Sequence, residues 1–326
     1  MSSGGGSSSD GSATSSGDDH NCVDESYTVL LLDEQLQQIP VECIPMLRAK
    51  RCSRVPSLPL FLRLVARAHP AVITHHPEAT GKGAEKTAGS HAGAKAVAAK
   101  TSAASTAAAT GATAVANAHY SSALGPRHER CWYAIDPEKN LATTRATMVA
   151  FLEPYIARWA WRGFVAEIPP EETMRGLHGG SDLFIYCGHG AGEKMCETHK
   201  MRHWSSLPAA LLWGCSSGRL ATLGVHDPYG AALNYLLGGA PYVVGNMWDV
   251  TDKDIDKLSK ECMRVCFDAP EGVDGAEKAD HTDRTEGAES ADRGVSVTQA
   301  LVQSRGVCKM KFAVGCAPVV YGYGEY

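Results

Sequence analysis

Asp182-Leu-Phe-Ile-Tyr-Cys-Gly-His189-Gly-Ala-Gly192 and Leu207-Pro-Ala-Ala-Leu-Leu-Trp-Gly-Cys215-Ser-Ser-Gly218 are two short apolar runs, each ending in a reactive side chain among small residues. A continuous apolar run of this length, bounded by Gly or Pro, reads as a strand buried on both faces. In open α/β sheets, ligands and chemistry gather just beyond the carboxyl ends of such strands. His189 and Cys215 each fall one step past a strand end, where a thiol and an imidazole could meet.

On either side of these runs, Tyr27–Leu32, Cys131–Ile135, Gly163–Ile168 and Tyr242–Asn246 read as further strands. Pro40, Pro45 and Pro56 punctuate a connecting segment, and Ser57 caps a helix through Ala68 with Leu58, Phe61, Leu62 and Val65 on one face. Thr143 or Thr144 starts a helix carrying Met148, Leu152, Tyr155, Ile156 and Trp159. Pro169-Pro170-Glu171-Glu172 opens another, closed by Gly179-Gly180. Asp227-Pro228 precedes a helix over Tyr229–Leu237. Thr251 with Asp254 gives a capping-box-like start to a helix bearing Ile255, Leu258, Cys262, Val265 and Cys266. A short helix and an apolar tail, Phe312–Tyr321, close the chain. Strands alternating with helices predict an α/β fold with a mainly parallel, helix-flanked central sheet.

Three stretches do not fit that pattern. Residues 1–25 are Ser- and Gly-rich, 77–126 are dominated by Ala, Gly, Thr, Ser and Lys, and 268–294 are acidic and Gly-rich. Such segments bury too little apolar surface to offset their ordering entropy. They are expected to be a disordered tail and two flexible insertions within one domain spanning 26–326.

The totals narrow the function classes. A net charge of −5 with 21% charged residues offers nothing for nucleic-acid binding by bulk charge. No apolar run approaches a membrane span, and the first twenty residues carry no secretory signal. Eleven cysteines with no regular spacing read as reduced thiols of cytoplasm or nucleus.

Cys215 alone reads as a buried packing thiol, and His189 alone as a structural histidine. Together, past adjacent strand ends, they form the Cys/His pairing of nucleophilic acyl transfer. A helix following Ser216-Ser217-Gly218 would favour the thiolate. The backbone N–H groups of Gly190 and Cys215 are the natural oxyanion donors. Asp249 lies past the sixth strand on the same edge, where its carboxylate could take a substrate guanidinium while Trp248 covers the guanidinium plane. Asp252, Asp254 and Asp256 read as helix-start charges. Gly188–Lys194 fails as a phosphate loop, because Glu193 and Met195 stand where Gly and Ser/Thr are required. Cys187, His189, Cys196, His199 and His203 make a rival zinc cluster.

The two quoted runs, with Gly245-Asn-Met-Trp-Asp249-Val-Thr-Asp-Lys-Asp-Ile-Asp256, closely resemble the catalytic domain of separase. So do Leu31-Leu-Asp-Glu-Gln-Leu-Gln-Gln-Ile-Pro40, Cys131-Trp-Tyr, Trp161-Arg-Gly and Ala313-Val-Gly-Cys-Ala-Pro-Val-Val-Tyr-Gly322. The matches run from about Tyr27 to Gly322, with a departure at Val41, where the family has Trp. The family also carries a very long helical N-terminal region not seen in this sequence. The resemblance implies a caspase-like α/β cysteine endopeptidase that cleaves the cohesin kleisin subunit after Arg to release sister chromatids. It also implies inhibition by a securin-type pseudosubstrate, His189 and Cys215 as the dyad, and a substrate Arg read by the acidic Asp249 region. No metal or organic cofactor is expected. The rival readings are an inactive scaffold that binds securin or cohesin peptides, and the zinc module.

Overall fold

Alternation of side chains with period two divides the core into two layers. In the strand β5 (Leu183–Cys187) all five residues are buried. Leu183, Ile185 and Cys187 join one apolar cluster, while Phe184 and Tyr186 join the other. The same split runs through β3 (Cys131–Ile135), β6 (Ala209–Leu212) and β9 (Tyr242–Asn246). A strand buried on both faces is apolar along most of its length, which is why these four are legible as apolar runs, with Asn246 at the end of β9 the buried polar exception.

The structure is a computed structural model describing residues 24–68, 128–204, 206–224, 226–268 and 295–325. The expected tail and insertions lie outside the described residues, except for Asp24, Glu25 and Asp268. Eight strands form the central sheet in the order β1-β2-β10-β9-β6-β5-β3-β4, where β1 is Asp24–Leu30, β2 Lys50–Arg54, β4 Arg162–Val165 and β10 Pro318–Gly322. Every pairing is parallel except β9 with β10. Strands β1, β2 and β10 therefore run against the other five.

One face is covered by α2 (Ala142–Trp159), α6 (Asp252–Phe267) and α7 (Val297–Ser304) through Met148, Leu152, Leu258, Cys262, Ala300 and Leu301. The other is covered by α1 (Leu58–Ala68), α3 (Glu171–Gly180), the single turn α4 (Thr198–Met201) and α5 (Ala231–Leu237), through Leu64, Met174, Met201, Ala232 and Tyr235. Each fully buried Leu or Met contributes about 1.5–3 kcal/mol relative to exposure. The architecture is the mainly parallel, helix-flanked α/β sheet expected.

Four local readings are corrected. The segment read as a Pro-punctuated connection contains β2, Lys-Arg-Cys-Ser-Arg, which no apolar period announces. Its Arg54 is fully buried because Glu42 takes Nε and Nη2 in a bidentate pair at 2.5 and 2.7 Å, and the Gln37 and Ile39 carbonyls accept the rest. On α1, Ser57 does cap Leu60 N–H, but Leu64 is the buried side chain, and Leu58 and Leu62 are exposed. Asp227 and Pro228 lie in β8 (His226–Tyr229), which pairs with β7 (Ala221–Leu223), so α5 starts only at Ala231. The apolar tail is not peripheral: β10 inserts between β9 and β2.

Candidate active site

The Cys215 turn is stitched to the end of β9. Ser217 Oγ donates to the Leu212 carbonyl (2.6 Å) and accepts Asn246 N–H (3.0 Å). Asn246 Nδ2 donates to the Trp213 and Gly214 carbonyls at 3.1 and 3.0 Å. The Ser216 and Gly218 amides donate to the carbonyls of Trp248 and Asn246. Ser217 and Asn246 are buried, so this polar frame is fixed in a low-dielectric setting that strengthens it. The thiol of Cys215 sits against Val250, donating to its carbonyl at 3.3 Å with the Val250 amide at 3.5 Å. Beyond Cys215 the chain makes a tight turn, with Ser216 at φ +53°, and enters the β7–β8 ribbon. Among the described residues no helix follows this turn directly, so the thiol lacks the helix N-terminus that would have favoured its thiolate.

His189 stands on the neighbouring loop after β5. Tyr186 reaches from the buried strand to donate its hydroxyl to the His189 carbonyl at 2.6 Å. Burial drives the Tyr186 phenol far above its ordinary range, so it remains a donor. Gly190 turns the chain at φ +58°, a region that favours glycine. The exposed imidazole places Nε2 3.0 Å from Asn140 Oδ1.

The two loops come together because Gly214 has no side chain. A Cβ there would stand 2.0 Å from the Gly190 carbonyl oxygen and 2.5 Å from that of Gly188. The residues flanking His189 thus pack directly on the residue before Cys215. Gly214→Ala is expected to force these backbones apart, lowering stability by about 1–3 kcal/mol, as overpacking does, and removing activity. Thermal unfolding and peptide cleavage measured together test this; a variant as stable and active as wild type would show that the close approach is not required. Among the described residues, no hydrogen bond takes up the Gly190 or Cys215 amide, so both remain free to donate.

The four expected acids occupy different settings. Asp249 is exposed, three residues beyond the end of β9, and accepts the Ser216 hydroxyl at 2.7 Å. Trp248 is half-buried, its indole N–H donating to the Ala313 carbonyl at 2.6 Å. Asp252 is exposed at the start of α6. Asp254 and Asp256, read as solvated helix-start charges, are both buried. Asp254 is satisfied by Met310 N–H (2.9 Å) and Lys257, and the former holds its carboxyl below the usual range. Thr251 makes no side-chain cap. Among the described residues the Asp256 carboxylate accepts only the Thr144 hydroxyl, at 3.0 Å, and burial pushes its carboxyl up to about 6. Thr144, one of the two residues expected to cap α2, lies inside that helix and spends its hydroxyl on Asp256.

The zinc reading fails on placement. Cys187 is buried in one core layer and Cys196 in the other, and His199 and His203 are exposed. Among the described residues no group of three or more His, Cys, Asp or Glu could hold a metal ion. No helix among them is long and apolar enough to cross a membrane. Asn140, Tyr186, Ser217 and Asn246 escaped sequence reading. Of these, Asn140 alone had a signal, as a turn residue past the end of β3 on the same sheet edge.

A mainly parallel α/β sheet with a cysteine and a histidine on adjacent loops of one edge has the architecture of a caspase-like protease domain. The family described as separin, protease domain, matches residues 7–255. The chain is 27% identical over 92% of its length to a separin of Schizosaccharomyces pombe, and 30% identical over 90% to one of Emericella nidulans. A Mus musculus separin is 27% identical over 91% of the chain. A crystal structure of the Saccharomyces cerevisiae separase–securin complex superposes with a TM-score of 0.64 at 26% identity, covering 91% of this chain and 15% of that one. The chain belongs to the separin protease-domain family. It spans 11–13% of the length of these three relatives.

Proposed function

We propose that this chain is the catalytic domain of a separase, a cysteine endopeptidase of cytoplasm and nucleus that cleaves the cohesin kleisin subunit after Arg and so releases sister chromatids at anaphase. A securin-type segment, the partner named for the solved yeast relative, would occupy the same cleft as a pseudosubstrate. The observation that carries the reading is the packing of the His189 loop on Gly214, beside Cys215.

In this reading the Cys215 thiol gives its proton to His189, and Sγ attacks the scissile carbonyl carbon. The oxyanion is received by the Gly190 and Cys215 amides. His189 returns the proton to the leaving amine, and water then releases the acyl group and regenerates the thiol. The acid that reads Arg must be fixed and desolvated yet lack a cation of its own. Asp249, the acid expected from sequence, is exposed and already bonded to Ser216, and Asp254 is already satisfied. Asp256 meets the requirement best: it is buried, bonded only to Thr144, and has no ion pair among the described residues. Trp248 can still offer a ring face to the substrate.

An Arg peptide bearing an alkylating group at the scissile position tests the proposal directly. It should block cleavage of an Arg-containing kleisin peptide and label Cys215 by mass, and a zinc-selective chelator should leave both unchanged. A Lys counterpart should react poorly, because a point charge cannot use bidentate geometry. Binding without labelling or turnover would favour the inactive scaffold.

A further inference from the structure

We infer that Asn140 is a third member of the site, a positioning residue that fixes the ring orientation and tautomer of His189. This rests on the proteolytic reading above. The contact is a hydrogen bond between Asn140 Oδ1 and His189 Nε2 at 3.0 Å, and the structure around it is built to hold Asn140 in place.

Asp136, directly after β3, is 1% exposed and adopts φ +47°, uncommon for a residue other than glycine. Its Oδ1 accepts the amides of Asn140 (2.9 Å) and Leu141 (3.1 Å), and Oδ2 accepts Arg145 Nη1 (2.9 Å). Its own amide donates to the Cys187 carbonyl at 2.7 Å, which ties this turn to the strand that delivers His189. On the far side, Glu138 pairs with Lys194, so the turn after β3 and the loop after β5 are clamped on both sides of the Asn140–His189 contact. A loop whose only task was to join β3 to α2 would need neither clamp.

The chemistry rests on what an amide oxygen can do. Oδ1 is an acceptor only, so it selects the imidazole with hydrogen on Nε2 and leaves the Nδ1 lone pair as the base for the Cys215 proton. When that proton arrives, Nε2–H still donates to Asn140, and the imidazolium keeps its orientation while the thiolate attacks. An asparagine in this role, behind a Cys/His pair, is chemically the arrangement reached in unrelated cysteine proteases.

Asn140→Ala should lower kcat for an Arg peptide about 10- to 100-fold, the scale of a misplaced catalytic group, with KM within about twofold. Asn140→Asp, which keeps an acceptor oxygen in place, should restore most of the rate. Long-range proton–nitrogen NMR of the His189 ring should show the Nε2–H tautomer in the wild type and a mixture in Asn140→Ala, with unchanged thermal unfolding. An alanine variant within twofold of wild-type kcat, or an unchanged tautomer, would overturn the assignment. If the wild type cleaves nothing, the proteolytic reading fails, and the NMR comparison still decides whether Asn140 positions His189.

Discussion

Cys215→Ser and His189→Ala each bring cleavage of an Arg peptide down by about ten-thousandfold or more, and the double variant is no worse than either single one. The first effect is expected because a serine hydroxyl beside an imidazole is a far weaker nucleophile than a thiolate unless the rest of the site is shaped for it. The second arises because the thiol then has no base, and the leaving amine no acid. Non-additivity is the diagnostic part. Two groups that pass one proton between them act as a unit, so removing the second has nothing left to remove. Neither change should unfold the protein: His189 is exposed, and Cys215 is half-buried against Val250. Single-turnover kinetics with thermal unfolding as control make the measurement. Substantial turnover by Cys215→Ser would remove Cys215 as nucleophile.

Asp256→Asn is expected to lower kcat/KM for Arg peptides about 30- to several-thousand-fold, the effect of burying a substrate cation opposite a lost partner at roughly 2–5 kcal/mol. The same substitution should make the free protein more stable. In the folded chain burial raises this carboxyl from 3.8 to about 6, so ionised Asp256 is disfavoured in the native state. Below the unfolded pKa both states are protonated and no penalty exists. The penalty grows as pH rises from about 4 to 6 and is complete above that, amounting to about 2–3 kcal/mol. Asn carries no charge and avoids it. Asp256→Asn should therefore unfold at a higher temperature than wild type at pH 7.5, with the difference fading towards pH 4. Gain in stability with loss of activity is the mark of an acid kept for a substrate. Asp249→Asn, in contrast, should change kcat/KM by less than about threefold, as expected for an exposed carboxylate. If Asp249→Asn collapses while Asp256→Asn does not, the Arg-reading acid is Asp249.

Sequence alone determined those parts of this protein in which one local requirement controls the residue pattern. Strands β3, β5, β6 and β9 are buried on both faces, so they are apolar along most of their length and announce themselves. The turns after β5 and β6 are built of small residues around one histidine and one cysteine, so His189 and Cys215 stood out together as a candidate pair. The helix faces of α2 and α6 came from their 3.6-residue stripes. Tertiary structure decided the rest, wherever a residue's partner lies far along the chain. Arg54 lies in a buried strand only because Glu42 neutralises it, and no window of sequence contains that energy balance. β10 becomes an interior strand because it pairs with both β9 and β2, which lie far from it along the chain. Gly214 matters because two carbonyls from another loop occupy the place of its side chain. Asp249 and Asp256 are alike in sequence and differ in burial: Asp249 stands on the exposed loop after β9, while Asp256 is covered where α6 meets Thr144 of α2.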